Sequence, residues 1–265
     1  MTSRSDTAAA PTDRPDRRTE VREAFLRERG FWAPVFDTIL DSDPEFMAAY
    51  LDFSAAPWRR GVLEPKVKEF VYIAADAAVQ HLHAVGTRNH MRSALAHGAT
   101  VEEICSVLQI TSLLGLQSLH MGVDALRTAL APATPDADTA HGAAPDPDAA
   151  RPDRAGPGTG SPDGWPDRLA AFDPAGADAA RAWRDRVLAA SPLEPKVVEF
   201  VGIAVNASTC HLNEAATAAH IRAALDAGAN SAEIVEVLEL VAVLGIHTAT
   251  MAMPLLQELS EAART

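Results

Sequence analysis

Apolar residues in the first half of the chain recur mainly at three- and four-residue steps. Leu63, Val67, Phe70, Val71, Ala74 and Ala78 form one such series, which predicts an α-helix with a buried stripe. Pro65 falls in its opening turn, where the missing N–H is not needed. A second helix is predicted from about His83 to His97, stopped by Gly98 at a left-handed cap position. The next opens at once, because Thr100 and Glu103 have capping-box spacing. Leu, Ala, Glu and other helix formers fill the rest, and no alternating β-branched run bounded by turns interrupts them. The expected fold class is all-α, with about five or six helices in each half packed as a bundle.

The halves are copies. "LEPKVKEFV" at 63–71 returns as "LEPKVVEFV" at 193–201, and at the same offset of 130 His90 matches His220, Gly98-Ala99 matches Gly228-Ala229 and Leu114-Gly115 matches Leu244-Gly245. Asn230 and Glu233 repeat the capping box. Phase-locked similarity without a gap indicates a tandem duplication. Residues 131–163 are dominated by Pro, Ala, Asp and Gly, with no apolar period to bury a face, so a disordered linker is expected there and a disordered tail over 1–20. The helical domains should then occupy 21–130 and 164–265.

With 265 residues, 48 % of them hydrophobic, the chain can form a substantial core. Thirty-six acidic against 23 basic residues give a net charge of −13, with no block of Lys and Arg to neutralise a phosphate backbone, so no nucleic-acid partner is expected. No uninterrupted apolar run approaches the roughly 20 residues that span a bilayer, and no apolar segment follows the charged N-terminus. The expectation is a cytoplasmic protein with no membrane partner. Two cysteines, Cys105 and Cys210, are too few for a disulfide framework and stand at different places in the two copies. They are expected to be buried small apolar side chains.

Polar residues kept in both copies carry the candidate chemistry. Glu69 and Glu199 interrupt the most apolar helix of each copy. On the first of these, Lys66, Glu69, Ile73 and Asp76 share one side, so Glu69 is either a solvated partner of Lys66 or a carboxylate set beside an apolar stripe to raise its pKa. In the second copy Lys196, Glu199 and Asn206 preserve the arrangement. His81, His83 and His90 lie in the first copy and His211 and His220 in the second, with Asn213 in place of His83. His90 and His220 are in register, and helix packing could bring each to its glutamate.

His83 and His90 stand about 10.5 Å apart along a helix axis, too far to ligate one ion. His81-x-His83 could do so from a loop with Glu69, but the second copy has only one of that pair, so no metal is expected. His97, His120 and His247 lack a histidine at the equivalent place, and His141 falls in the linker. The arginines of Trp58-Arg59-Arg60 have no counterpart in Leu188-Ala189-Ala190 and are expected to be ordinary surface groups. No Gly-rich phosphate loop, nucleophile elbow or Walker-type lysine is present.

The segments "LEPKVKEFVYIAADAAVQHLHAVGTRNHMRSALAHGATVEEI" and "LEPKVVEFVGIAVNASTCHLNEAATAAHIRAALDAGANSAEI" resemble the carboxymuconolactone decarboxylase family and the related alkylhydroperoxidase D-like proteins. The resemblance covers 43–126 and 173–256. It rests on the Pro-Lys-x-x-Glu helix start, the His eight residues before Gly-Ala, and the Glu-Ile that follows. It implies two tandem alkylhydroperoxidase D-like helical domains, assembly into trimers or hexamers, and Glu and His near a small-molecule pocket.

The peroxidase branch of that family carries a Cys-x-x-Cys ending four residues before the His. Those places hold His83 and Gly86 in one copy and Asn213 and Ala216 in the other. A dithiol peroxidase needs one thiolate to attack and a second to resolve, so peroxide-reducing antioxidant activity is disfavoured. The decarboxylase branch implies no metal or organic cofactor. By that resemblance Glu69, His90, Glu199 and His220 are the catalytic candidates, while His81, His83 and His211 line the substrate site. The expected function is decarboxylation of a small carboxylated lactone or oxo compound, with a non-catalytic oligomeric binding protein as a further alternative. One chain would stand for two single-domain subunits, making a homotrimer a pseudo-hexamer.

Overall fold

A computed structural model describes residues 16–131 and 164–264. The expected linker lies almost wholly outside the described residues, as does most of the expected tail. Among the described residues the fold is all-α, with no strand. In chain order the helices are α1 (Arg17–Arg29), α2 (Phe36–Ser42), α3 (Pro44–Arg60), α4 (Pro65–Ala77), α5 (Ala84–Ala96), α6 (Val101–Ser112) and α7 (Leu116–Leu130). After the linker come α8 (Trp165–Ala170), α9 (Pro174–Ala189), α10 (Pro195–Ala207), α11 (Glu214–Asp226), α12 (Ser231–Val243) and α13 (His247–Ala262). Two tandem helical repeats are thus present.

The helices fall into two compact units, one of residues up to 60 together with 245 onward, the other of residues 61–244. In the first unit α1, α2, α3 and α13 enclose Val21, Phe25, Phe36, Ile39, Met47, Leu51 and Ile246. Phe25 meets Phe31, Trp32 and Phe36 edge-on, with centroids 5.2–5.6 Å apart, the arrangement that aromatic quadrupoles favour. Arg17–Glu20, expected in the tail, are helical. The Arg17 guanidinium makes a two-pronged bond to the Glu45 carboxylate at 2.7 and 2.8 Å, a long-range pairing that local composition does not reveal.

The second unit holds the site. Its centre is the pair of equivalent helices α4 and α10, which pack against each other, each also covered by the helix that follows it. Val67, Phe70, Val71 and Ala74 are buried as the periodicity predicts, and Val197, Phe200, Val201 and Ala204 repeat them. Pro65 and Pro195 open these helices. Gly98 and Gly228 take φ of +84° and +90°, a region that glycine enters without Cβ strain. Both capping boxes form. Leu116 and Val123 of α7 pack with Trp165, Leu169 and Ala177.

Lys66 bonds Glu103 at 2.8 Å, and Lys196 bonds Glu233 at 2.8 Å. Lys66 is therefore the partner of a capping-box acid on α6, and the reading of Glu69 as its solvated partner does not hold. Burial alone would raise the Glu103 carboxyl, but the bonds from Lys66 and from the Thr100 backbone N–H outweigh it and hold the group below the usual range. Glu233 is lowered in the same way, with burial opposed by Lys196 and Asn230.

A second charge pair lies deeper. Lys68 is 1 % and Glu236 0 % exposed, and Nζ lies 2.9 Å from Oε1. Glu236 also accepts from the backbone N–H groups of Val62 and Leu63, at 3.3 and 3.0 Å. One side chain of α12 thereby holds the chain entering α4. At the mirrored place, Lys68 becomes Val198 and Glu236 becomes Ser106, whose hydroxyl lies 2.7 Å from that of Ser191.

Two of the sequence expectations change. Both cysteines are exposed: Cys105 lies on a face of α6 away from buried Ile104 and Val107, and Cys210 lies in the turn between α10 and α11. Two helical stretches, Val101–Leu130 and Ser231–Ala262, have the length and apolar content of a membrane span, although 39 % and 44 % of their most apolar windows are buried inside the fold. Each stretch joins two helices through a single 3-10 turn, so scattered polar residues conceal the combined length in the sequence.

Replacing Lys68 with Met should destabilise the protein by about 3–5 kcal/mol, because Glu236 keeps a buried charge without its cation. Adding Glu236→Gln should recover part of that loss; equal denaturant midpoints for the single and double variants would contradict the pairing. Glu103→Gln and Glu233→Gln retain cap geometry but remove charge, and each should cost about 1 kcal/mol at neutral pH. A depressed carboxyl contributes above its unfolded value of about 4.3, and that contribution is lost as pH falls through the lower folded value. The acid limb of stability against pH should therefore be shallower in these variants than in wild type.

Candidate functional site

Glu69 sits on the first turns of α4, where the helix stripe carries it into the interior at 4 % exposure. A carboxylate so placed needs donors, and α5 supplies two. His90 Nδ1 lies 2.7 Å from Glu69 Oε2, and Ser93 Oγ donates to Oε1 at 2.9 Å. With Glu69 ionised, Nδ1 carries the proton that it donates, which leaves Nε2 as the variable end of the imidazole. Tyr72, one turn along α4, stacks on His90 with centroids 4.4 Å apart and planes 26° from parallel.

The second copy repeats the dyad with a looser surround. His220 Nδ1 lies 2.8 Å from Glu199 Oε2. The side chains of Glu199 and His220 are 25 % and 29 % exposed, against 5 % and 18 % for Glu69 and His90. Ala223 replaces Ser93 and Gly202 replaces Tyr72. A Cβ at Gly202 would come within 2.4 Å of His220 Nδ1, so the absent side chain lets the imidazole lie against the α10 backbone. Ser93, Tyr72 and Gly202 escaped the sequence reading because only α5 and α11 bring a partner to them.

Two turns beyond Glu69, Asp76 is fully buried. His83 Nδ1 lies 3.5 Å from its Oδ2, His81 Nε2 3.7 Å from its Oδ1 and His90 Nε2 4.0 Å from its Oδ2. Burial pushes the Asp76 carboxyl up, while His90, His83 and His81, in that order, pull it down. The sequence had placed Asp76 on the Glu69 face, but its role depends on the turn to α5, which brings both histidines back over the helix end. That turn uses Leu82 at φ +47°, matched by Leu212 at +47°, a left-handed conformation costing a branched side chain roughly 1–2 kcal/mol. The His83 N–H donates to the Asp76 carbonyl at 2.8 Å, and the Asn213 N–H to that of Asn206 at 2.9 Å.

The equivalent side chains in the second copy are uncharged and hydrogen-bonded. Gln117 of α7 donates to Asn206 Oδ1 at 2.6 Å, and its own oxygen accepts from His211 Nε2 at 2.7 Å and Asn213 Nδ2 at 2.9 Å. His211 Nδ1 accepts from Gln80 at 3.2 Å, consistent with a proton on Nε2. His81, His83 and His211 thus lie at the helix-end turns, with His81 and His83 grouped around Asp76 and His211 around Gln117.

No thiol pair occupies the places where the peroxidase branch has one. Cys210 Sγ lies 3.7 Å from His81 Nδ1 and Cys105 is remote in sequence. A shallow depression of about 710 Å³ is lined by Ala77 at the end of α4, Leu82 of the turn, and Thr87, Arg88, Met91 and Arg92, which flank His90 on α5 without including it. A small cavity of about 20 Å³ touches His81 and Cys210. Neither is lined by Glu69, His90, Glu199 or His220. Arg59, expected to be an ordinary surface group, bonds Glu28 and Asp52.

The arrangement can be compared with known proteins. The model of the carboxymuconolactone decarboxylase family matches residues 44–135 and 174–258. A crystal structure from Burkholderia xenovorans, of a protein provisionally named a gamma-carboxymuconolactone decarboxylase subunit, is similar with a TM-score of 0.77 and 31 % identity, covering 94 % of this chain and 99 % of that one. No curated protein gives a significant match. With both repeats matched and the fold shared over nearly the full length, this chain belongs to the carboxymuconolactone decarboxylase family as a tandem two-domain member.

Proposed function

We propose that this protein is a decarboxylase-type enzyme that acts on a small carboxylated lactone or oxo compound through Glu–His acid–base chemistry. The observation that carries this reading is the 2.7 Å bond between His90 Nδ1 and the buried Glu69 carboxylate, repeated at 2.8 Å by His220 and Glu199. A carboxylate on Nδ1 fixes the ring's orientation and stabilises its protonated form, so Nε2–H can deliver a proton. When carbon dioxide leaves from beside a carbonyl or lactone, the electron pair of the broken bond passes into a dienolate. A hydrogen-bond donor aimed at the developing oxyanion favours that step, and protonation at carbon completes it.

In this reading His90 and His220 donate the proton or bind the oxyanion, while Glu69 and Glu199 orient them. His81, His83 and His211 line the site. The first copy is the more active, because Ser93 and Tyr72 hold its dyad in a drier setting, where electrostatic effects are stronger. Absence of a thiol pair argues against dithiol peroxidase activity. We also propose that the protein is cytoplasmic and assembles as a homotrimer in which each chain stands for two single-domain subunits.

A panel of lactones, keto acids and hydroperoxides, assayed for carbon dioxide release and substrate loss, tests the proposal. Carbon dioxide should be released from a carboxylated lactone or keto acid, and hydroperoxide should persist in the presence of a thiol reductant. His90→Gln should lower kcat by about 10²- to 10⁴-fold, with a smaller loss for His220→Gln. Full turnover by the His90→Gln/His220→Gln variant, folded by circular dichroism, would refute the assignment. Hydroperoxide consumption alone would favour the antioxidant reading instead.

A further inference from the structure

We infer that Asp76, His81 and His83 form a binding site for a divalent first-row transition-metal ion, present in the first copy and absent from the second. One donor atom from each of the three lies within 4.8 Å of the others. Asp76 presents one oxygen to each ring, Oδ2 to His83 Nδ1 at 3.5 Å and Oδ1 to His81 Nε2 at 3.7 Å. Donors about 2.1 Å from a tetrahedral centre stand about 3.4 Å apart, so the group, whose donor atoms lie within 4.8 Å of one another, would draw together around an ion. Two neutral imidazoles and one carboxylate suit zinc and its neighbours, with remaining positions for water or a further donor. Asp76 supplies a buried carboxyl oxygen as one donor, and the partly exposed rings of His81 and His83 give a path from solvent.

Two further observations bear on the site independently. A Cβ at Gly86 would stand 2.0 Å from Asp76 Oδ2 and 2.4 Å from His83 Nδ1, so glycine keeps open the space where those donors converge. Its counterpart is Ala216. In addition, the two copies share the strained leucine and the backbone bond at this turn, so they differ through their side chains. In the second copy Asn206, His211 and Asn213 lack an anion, and the amide of Gln117 ties them together at 2.6–2.9 Å. Hydrogen bonds around a neutral amide in one copy thus contrast with two imidazoles grouped around a buried carboxyl in the other.

The sequence had suggested Glu69 as the third ligand, but Glu69 is engaged by His90 and Ser93, and Asp76 takes that place. His83 Nδ1 also accepts a long bond from the Gly86 N–H, at 3.2 Å, and coordination through that nitrogen would replace this weak cap. His90 Nε2 lies 4.0 Å from Asp76 Oδ2, so a bound ion would stand beside the dyad as a Lewis acid. Metal binding is measured without turnover, and failure of this site leaves the acid–base reading intact.

The test uses tag-free full-length protein, stripped with a chelator and titrated calorimetrically with Zn²⁺, while Co²⁺ absorption reports geometry. One ion per chain should bind with Kd at or below about 10 μM. His81→Gln/His83→Asn, which installs polar side chains at partly exposed positions, should weaken it by at least about 100-fold. Gly86→Ala should do likewise, and His211→Gln should leave Kd unchanged. The inference is overturned if wild type shows no saturable one-to-one binding, if the folded double variant binds as wild type does, or if His211→Gln abolishes binding.

Discussion

Charge taken out of water must find a partner, and this constraint governs the centre of the protein. Helices α4 and α10 are buried along most of their length and pack on each other, yet α4 carries Lys68, Glu69 and Asp76 into the interior. An unpaired charge there would cost several kcal/mol. Each is met by groups from a different element: Lys68 by Glu236 on α12, Glu69 by His90 and Ser93 on α5, and Asp76 by the histidines of the following turn. The surrounding helices are thereby registered by directional contacts as well as by packing, since a sliding apolar face would tolerate offsets that these pairs do not.

Duplication made that constraint twofold, and the copies answer it differently. The first carries ionisable side chains at three buried positions of α4. The second has Val198, Glu199 and Asn206 there, keeping only the glutamate and its histidine. Elsewhere it substitutes neutral hydrogen bonds, Ser106 to Ser191 and the Gln117 network. A neutral amide avoids the desolvation cost of a carboxylate but gives up its capacity to attract a cation or stabilise a protonated imidazole. The Glu–His dyad persists in both copies although its neighbours Tyr72 and Ser93 become Gly202 and Ala223, which fits the proposal that the chemistry lies there.

Much of this was legible because it is local. Pro at a helix start, Gly after a helix end and the two capping boxes act within a few residues, and all occur where the spacing predicts. Burial of the apolar stripe also follows from its periodicity. The pairing of Glu69 with His90 could be anticipated from register across the copies, although both readings of Glu69 remained open until Lys66 was seen to bond Glu103. Tyr72, Ser93 and Gln117 gave no such signal, because an aromatic, a hydroxyl and an amide within amphipathic helices look like ordinary filling until a second helix is laid across them.

By itself the sequence determined the helical class, the tandem repeat, the absence of a Cys-x-x-Cys and the identity of the recurring acid and imidazole, all of which follow from residue type and spacing along one chain. Only the tertiary structure decided which groups meet. It set Glu69 on His90, drew Asp76 under His81 and His83 through a left-handed turn at Leu82, and left both cysteines on the surface. The physical reason is that helix periodicity specifies the face a side chain occupies, whereas a bond of 2.7 Å depends on the rotation and offset of a neighbouring helix, which the packing of the whole core sets.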